Sequence, residues 1–404
     1  MSYKIESLDN FGKGVTHVDG KVAFVFNALE DEEVDLEVMS NKSKYIEGVA
    51  RSISNLSCKR REFPCPYYLE CGGCNIMHMN YEQQLKFKME KAKNVLGEIA
   101  KINCDVDTIV PSQEFNYRNK VTLKVNCGKL GLYRNKSYEL VHIEKCLLCS
   151  NSINHVIKLL NKCDLSSLKE VVIRSNYKNE ILLVLNGKSI DSKYFLDNLK
   201  DVDNIVFLDN DVRKVIKGND FFIDKINDLY FKVSIQSFFQ VNSYGVSNLY
   251  DLVLNSCEID DDYQVLDLYC GTGTIGMFFS KKVKNVFGIE INKDAILDAN
   301  YNKKLNNISN INFLCSDVGL VKEKFQDIDL VVIDPPRSGL SKGALNNVLD
   351  INASKIVYVS CDVTTLARDL SLLKEKYNVL KISLVDMFPN TYHVECVSVL
   401  TKKN

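Results

Sequence analysis

With 404 residues the chain exceeds one ordinary core, which predicts two or three domains. Its 46% hydrophobic and 25% charged residues match an average soluble globular protein and exclude wholesale disorder. A formal net charge of −1 excludes a uniformly basic nucleic-acid binder, although Lys59-Arg60-Arg61 and the series Lys86, Lys88, Lys91 and Lys93 stand as candidate phosphate contacts or as solvated faces. No stretch approaches the roughly 18 apolar residues that cross a bilayer, and the opening MSYKIESLDN lacks a basic region followed by an apolar one. The expectation is a cytoplasmic protein with no membrane partner. In a reducing compartment 14 cysteines are not a disulfide framework, so a tight cluster reads first as a metal site or a nucleophile. The scattered Cys104, Cys163, Cys257 and Cys315 read as small buried apolar residues.

Residues 1–55 carry short alternating runs at Val15–Val18, Val22–Phe26, Val34–Val38 and Tyr45–Val49, broken by Gly12, Gly14, Gly20 and Gly48. That spacing predicts a small β-barrel. Residues 56–235 read as a mixed α+β region. It opens on a cysteine-, proline- and glycine-rich segment from Cys58 to Cys74. Tyr81–Ala100 then reads as one helix with apolar Leu85, Met89, Ala92, Val95, Leu96 and Ile99, and strands are predicted at Val121–Val125, Val171–Arg174 and Ile181–Leu185. Cys65, Cys71 and Cys74 form a C-x5-C-x2-C loop with Gly72 and Gly73, able to aim three thiolates at one centre. Cys146 is the expected fourth ligand, with Cys149 in reserve; four thiolates suit either an iron–sulfur cluster or zinc.

Residues 236–404 alternate strand and helix patterns. Strands are predicted at Val265–Leu268, Val286–Ile289, Ile311–Leu314, Leu330–Ile333, Ile356–Val359 and Cys396–Leu400, and helices from Asp294 and over Thr364–Lys374. Such alternation predicts an open, mostly parallel, doubly wound sheet. After the first of these strands, Gly271, Gly273 and Gly276 let backbone approach a ligand, and read literally they satisfy the dinucleotide pattern G-x-G-x-x-G. Glu290, ending the next strand, can accept both hydroxyls of a ribose, and Asp317 can accept from an adenine amino group. The glycine motif and Glu290 leave a nicotinamide cofactor open. Asp334-Pro335-Pro336-Arg337 lies at a strand's carboxyl end, where ligands sit in such sheets, and its prolines stiffen the loop that carries Asp and Arg. Cys361 follows another strand at the same rim, just before a helix whose N-terminus would favour thiolate; a buried inert cysteine is the other reading. Glu395 opens the closing strand as a base or as a solvated edge residue.

Taken together, Phe239-Gln240-Val241-Asn242, the Asp267 to Gly273 run, Asp334-Pro335-Pro336-Arg337 with Gly339, Tyr358-Val359-Ser360-Cys361 with Thr365 to Leu370, and Met387-Phe388-Pro389 with His393-Val394-Glu395 resemble the RNA uracil-5-methyltransferases. The resemblance implies an α/β methyltransferase domain, S-adenosylmethionine as methyl donor, Cys361 as nucleophile and Glu395 as proton acceptor. It also implies Gln240, Tyr269, Glu290 and Asp334 as cofactor contacts, joined by Gly271 and Asp317 from the strand-end reading. Where family members read Ser-Cys-Asn-Pro this chain has Ser360-Cys361-Asp362-Val363, which keeps the nucleophile but not the amide. An inactive RNA-binding protein of the same fold is the alternative that this departure raises.

The cysteine loop resembles that of members holding a four-iron, four-sulfur cluster, in a structural role. Residues 1–55 resemble a TRAM domain, an OB-like barrel appended to RNA-modifying enzymes and able to bind unpaired strands. Tyr117-Arg118-Asn119-Lys120 matches the family as well and implies an RNA contact near the cofactor. The combination implies 23S ribosomal RNA as substrate, with transfer RNA uridine 54 as the alternative, and a monomer is expected.

Overall fold

A computed structural model describes residues 2–102, 106–210, 212–321, 325 and 327–403; Cys104 lies outside them. The N-terminal strands Ser2–Lys4, Ser7–Leu8, Gly14–Val18, Lys21–Phe26, Glu33–Asn41 and Tyr45–Ser54 form one sheet. Its first extended segment pairs through Tyr3 with Val34 and through Ser7 with Val15, so the two edges close on each other. The period of two turns Ile5, Val25, Val34 and Ala50 inward as a small core.

A seven-stranded sheet follows, in the order Leu140–His142, Lys129–Tyr133, Lys120–Asn126, Leu168–Ser175, Ile181–Gly187, Asn204–Asp209 and Val212–Lys217. The helix Asn151–Leu160 presents Ile153, Val156, Ile157 and Leu160, the stripe of a 3.6-residue period, to Leu123, Val171 and Leu183 of that sheet.

The C-terminal sheet has eight strands in the order Ile311–Cys315, Asn285–Glu290, Gln264–Leu268, Leu330–Ile333, Lys355–Ser360, Glu395–Lys402, Tyr377–Val385 and Val106–Val110. All neighbours are parallel except around Glu395–Lys402, which runs antiparallel to both. Leu330 and Val332 face one core and Val331 and Ile333 the other. Burial on both faces explains why this strand reads as an unbroken apolar run. The chain order reverses between Gln264–Leu268 and Leu330–Ile333, which is where such sheets open a ligand crevice. Among the described residues no helix is long and apolar enough to cross a membrane.

Two features depart from the expectations. The helix Tyr81–Val95, continued as Leu96–Ala100, buries Ala92, Val95, Leu96 and Ala100 in the C-terminal core, and Val106–Val110 supplies that sheet's eighth strand. These segments fall within the region read as central, because an amphipathic stripe says that one face is buried without naming what buries it. The basic runs, moreover, are largely consumed inside the molecule. Arg60 forks onto Glu32 at 2.7 Å from both Nε and Nη2, Arg61 reaches Glu114 and Asn390 at 2.5 Å, and Lys88 is fully buried on Asp386 at 2.5 Å. None of these three is free for phosphate.

Removing one partner of a buried ion pair leaves the other charge uncompensated. Lys88→Met is expected to cost about 3–5 kcal/mol by this mechanism, read as a lower urea midpoint, and adding Asp386→Asn should recover part of the loss.

Candidate active site

The closing strand decides the site's geometry. In a parallel sheet only carboxyl ends reach the crevice rim, but a strand inserted antiparallel brings its first residue there instead. Ser360 pairs with Cys396, and the same register carried one step outward sets Cys361 opposite Glu395. Residues directly opposite on antiparallel strands stand about 4.5–5.5 Å apart at Cα. Asp334 and Arg337, from the loop after Leu330–Ile333, complete the group: both act electrostatically on Cys361 and on Glu395.

Burial dominates the chemistry of this group. It pushes the Glu395 carboxyl up to about 8, helped by the neighbouring Asp334 charge and opposed by Arg337. Asp334 itself is raised to about 7 by burial. The Cys361 thiol is pushed up to about 11 by burial and by Glu395, with Arg337 working against both. The expected lowering by the helix N-terminus is therefore outweighed by burial and by Glu395. His393, kept neutral by burial that lowers it to about 4, presents Nε2 to Arg337 at 3.4 Å.

The helix behind the thiol clamps the loop that carries Arg337. Within Val363–Leu373, Thr365 Oγ1 donates to the Arg337 carbonyl at 3.1 Å, and Arg368 donates to the carbonyls of Ser338 and Leu340. Asp369 accepts from Leu340 N at 2.8 Å and from the Tyr358 hydroxyl at 2.7 Å. The loop of Arg337 is thus tied to the helix that follows Cys361. The motif that contains Thr365, Arg368 and Asp369 gives these three no role by itself, and because the helix also carries Thr364 and Ser371, polarity alone does not mark them. Asp362 caps the same helix, accepting from Thr364 N at 2.9 Å and Thr365 N at 3.1 Å, so the residue that replaces the usual Asn has a local task.

The glycine loop lies one strand over. Tyr269 and Gly271 hold φ of 63° and 53°, a left-handed bend that turns the chain across the strand end. A Cβ at Gly276 would meet Asp267 Oδ2 at 2.8 Å and Ile311 at 3.0 Å, so glycine there lets helix and strand approach. Glu290 accepts from Gly271 N at 3.2 Å and Asn292 N at 2.8 Å, and Asp317 accepts from Gly319 N at 2.6 Å. Glu290 and Asp317 both act on Tyr269, which burial lifts to about 12. Gln240 lies on the segment before the helix Gly245–Asn255, where Asn119 Nδ2 donates to its carbonyl at 3.0 Å and Asn119 N to the Val241 carbonyl at 2.8 Å. Asn242 is fully buried, capping the helix Gly245–Asn255 through Gly245 N at 2.8 Å and donating to the Met387 carbonyl at 3.0 Å.

Cys65, Cys71, Cys74 and Cys146 are not part of this rim. They line a separate cavity of ≈ 340 Å³, whose wall also includes Arg118, Lys120 and Val241, next to Gln240 in the chain.

A doubly wound sheet with a glycine loop, an acidic residue ending the next strand and a thiol–carboxyl pair at the same rim defines a methyltransferase-type α/β fold. Residues 80–403 match the profile of the tRNA (uracil-5-)-methyltransferase family, and the chain belongs to that family. It is 33% identical to an uncharacterized RNA methyltransferase of Clostridium tetani, over 98% of this chain and 95% of that one. Another, from Halalkalibacterium halodurans, is 33% identical over 99% of this chain and 96% of its own length. The crystal structure of Pyrococcus abyssi tRNA (uracil-54, C5)-methyltransferase in complex with S-adenosyl-L-homocysteine is similar with a TM-score of 0.81, at 28% identity over 99% of both chains. The protein is an S-adenosylmethionine-dependent RNA uracil-5-methyltransferase, and the nicotinamide reading of the glycine motif falls.

Asp267 is fully buried beneath the loop; its Oδ2 accepts from Gly276 N at 2.9 Å, its Oδ1 is unpartnered, and burial raises it from 3.8 to about 8. The folded state therefore holds this proton where the unfolded chain has lost it, and stability falls as pH rises between those values. Against Asp267→Asn, which cannot ionise, the ligand-free protein should lose ground in urea midpoint from pH 5 to 8.

Proposed function

We propose that the enzyme methylates carbon 5 of a uridine by transient covalent catalysis. The observation that carries this reading is the antiparallel register that sets Cys361 opposite Glu395 beside Asp334 and Arg337. Uracil carbon 5 is too weak a nucleophile to take a sulfonium methyl unaided. Addition of the Cys361 thiolate to carbon 6 moves the double-bond electrons toward carbon 5 and its carbonyl, giving an enolate. S-Adenosylmethionine supplies the methyl group, and Gln240, Tyr269, Gly271, Glu290, Asp317 and Asp334 are the residues proposed to hold it. Glu395 then takes the proton from carbon 5, the double bond re-forms, and the thiolate leaves. Burial raises both Cys361 and Glu395, and Arg337 is the cation that draws both toward the charged forms in which they act. Because a stacked base cannot be attacked on its face, the uridine enters unpaired or flipped.

Cys65, Cys71, Cys74 and Cys146 are proposed to hold a four-iron, four-sulfur cluster that shapes the central region and leaves the chemistry to the rim. Cys146 lines the cavity and Cys149 does not, which supports Cys146 as the fourth ligand. Among the described residues no three cysteine sulfurs lie within 4.8 Å of one another. One tetrahedral zinc, with bonds of about 2.3 Å, would hold its sulfurs roughly 3.8 Å apart, so the wider set suits a cluster better.

The closed N-terminal barrel is proposed as a TRAM-type RNA-binding module, and a cytoplasmic monomer acting on 23S ribosomal RNA is the favoured whole. Transfer RNA is the second reading, favoured by the Pyrococcus abyssi protein, whose likeness extends over the barrel and the cysteine loop. Mass mapping of both RNAs from a deletion strain decides between them: the RNA that loses a 5-methyluridine is the substrate, and loss from neither would overturn the assignment.

Two variants separate the steps, and a third tests the cluster. Cys361→Ala should form no covalent adduct. Glu395→Gln should add and methylate but not eliminate, leaving protein and RNA comigrating on a denaturing gel with label from radioactive S-adenosylmethionine; free turnover would remove Glu395 from the base role. Cys71→Ser should abolish the brown colour of anaerobically purified protein, whereas a colourless wild type with stoichiometric zinc would overturn the cluster.

A further inference from the structure

Away from the rim, the hairpin Phe221–Ile226 and Leu229–Ser234 sorts its side chains by the strand period of two. Phe222, Ile226, Leu229, Phe231 and Val233 enter the core. The outer face carries Phe221, Ile223 and Lys225 on one strand and Tyr230, Lys232 and Ser234 on the other. Two neighbours extend it: Tyr177, on the turn after Leu168–Ser175, stands 6.3 Å from Tyr230, and Tyr301, on the helix Lys293–Leu305, stands 6.5 Å from Phe221.

Lysines lie over these rings. Lys178 is 5.5 Å from the Tyr177 centroid and Lys225 5.3 Å from that of Tyr230, while Lys232 is 4.9 Å from Phe221 and 5.3 Å from Tyr301. Four of the eight cation–π pairs among the described residues fall on this one face, so it is not an average sample of the surface. Tyr177, Tyr230 and Tyr301 remain 43%, 38% and 44% exposed. Between Tyr177, Phe221 and Tyr230 opens a cavity of ≈ 390 Å³, whose wall also holds Asn219 and the Asn176–Glu180 pair, with Asn176 Nδ2 donating to Glu180 Oε2 at 3.0 Å and to the Ile223 carbonyl at 2.8 Å. The cavity volume is within the roughly 300–1,000 Å³ of small-ligand sites. Lys232 is also paired with Asp298 at 3.0 Å, which leaves Lys178 and Lys225 as the outward cations.

Half-exposed rings that offer a face, with lysines beside them, are the chemistry that holds an unpaired strand: bases stack and phosphates meet ammonium groups. The face is also joined to the reaction site. Ser234 and Ser237 both donate to Asp298 Oδ2, at 2.7 and 2.5 Å, fastening the hairpin's end to the helix, and Gln240 follows three residues later. We propose that this face is a second RNA seat, which takes an unpaired segment of the substrate beyond the target uridine. It rests on the reading of the chain as an RNA methyltransferase.

The test uses the full-length enzyme and a short single-stranded oligouridylate, followed by fluorescence anisotropy over a salt series, beside methylation of total RNA from a deletion strain. Tyr230→Ala should weaken oligouridylate binding roughly 5- to 100-fold, and Tyr230→Phe, which keeps the ring, should restore it. Lys178→Ala with Lys225→Ala should lower the slope of log affinity on log salt by about 0.7 for each phosphate that is no longer neutralised. With total RNA both sets should raise KM and leave kcat and S-adenosylhomocysteine affinity unchanged. Wild-type binding and slope in all variants, while the enzyme methylates RNA, would overturn the seat and leave the function standing. An enzyme that methylates no RNA would overturn the function, and oligouridylate binding would then judge the seat alone. Equal competition by a duplex of the same length would overturn the preference for an unpaired strand. A change in sedimentation of the variants with unchanged RNA binding would assign the face to a second copy of the chain, and overturn the proposal.

Discussion

The loop from Asp386 to Val394 carries a polar backbone into the interior, and the site exists only because that backbone is satisfied there. Asn390 is the hub. It is fully buried with φ of 68°, a conformation Asn tolerates better than most residues. Its carbonyl accepts from Asn75 N and Ile76 N, its Oδ1 from Arg61 and Gln84, its amide donates to the Glu114 carbonyl, and its N–H meets Gln84 Oε1. Lys88 closes the arrangement on Asp386 and on the Phe388 carbonyl, and Tyr117 on that of Pro389. A buried group without a partner costs about 1–3 kcal/mol, so these contacts leave the loop one arrangement. Glu395 begins where that loop ends.

From this follows an unusual electrostatic state. Asp267, Asp334 and Glu395 all lie where burial favours the neutral acid, and the cation that acts on Glu395 is Arg337. Arg337 is in turn fixed by the helix that follows the thiol, through Thr365, Arg368 and Asp369. The helix that follows the thiol therefore also holds the loop of the cation that favours the charged forms of Cys361 and Glu395. Burial raises the acids of this rim together, so a change in the charge or solvation of the crevice acts on all of them.

The basic residues show how the same side chain divides between cohesion and binding. Arg60, Arg61 and Lys88, clustered in sequence as though for phosphate, join barrel, cysteine loop and catalytic loop. The lysines on the hairpin and its neighbouring turn, scattered in sequence, converge on tyrosine faces. Clustering along the chain measures local charge, whereas binding depends on which charges folding leaves uncompensated.

Much of the catalytic region is legible in the residues alone, because it depends on local constraints. A glycine turn between strand and helix, prolines that stiffen Asp334 to Arg337, and a run buried on both faces at Leu330–Ile333 each leave a mark within a few neighbours. The boundaries of the packed units do not. Tyr81–Ala100 and Val106–Val110 complete a sheet whose other strands lie more than a hundred residues on, and periodicity records only that a face is buried. Cys361 and Glu395 are each visible as candidates, but their pairing is a property of strand order and register. By itself the sequence determined the local elements, the residue types at the rim and the family they resemble. The tertiary structure alone decided that the last strand runs antiparallel, that Lys88 is a buried tie, and that thiol and carboxyl share one low-dielectric edge. Those are relations between distant segments, set by packing and hydrogen-bond satisfaction across the core.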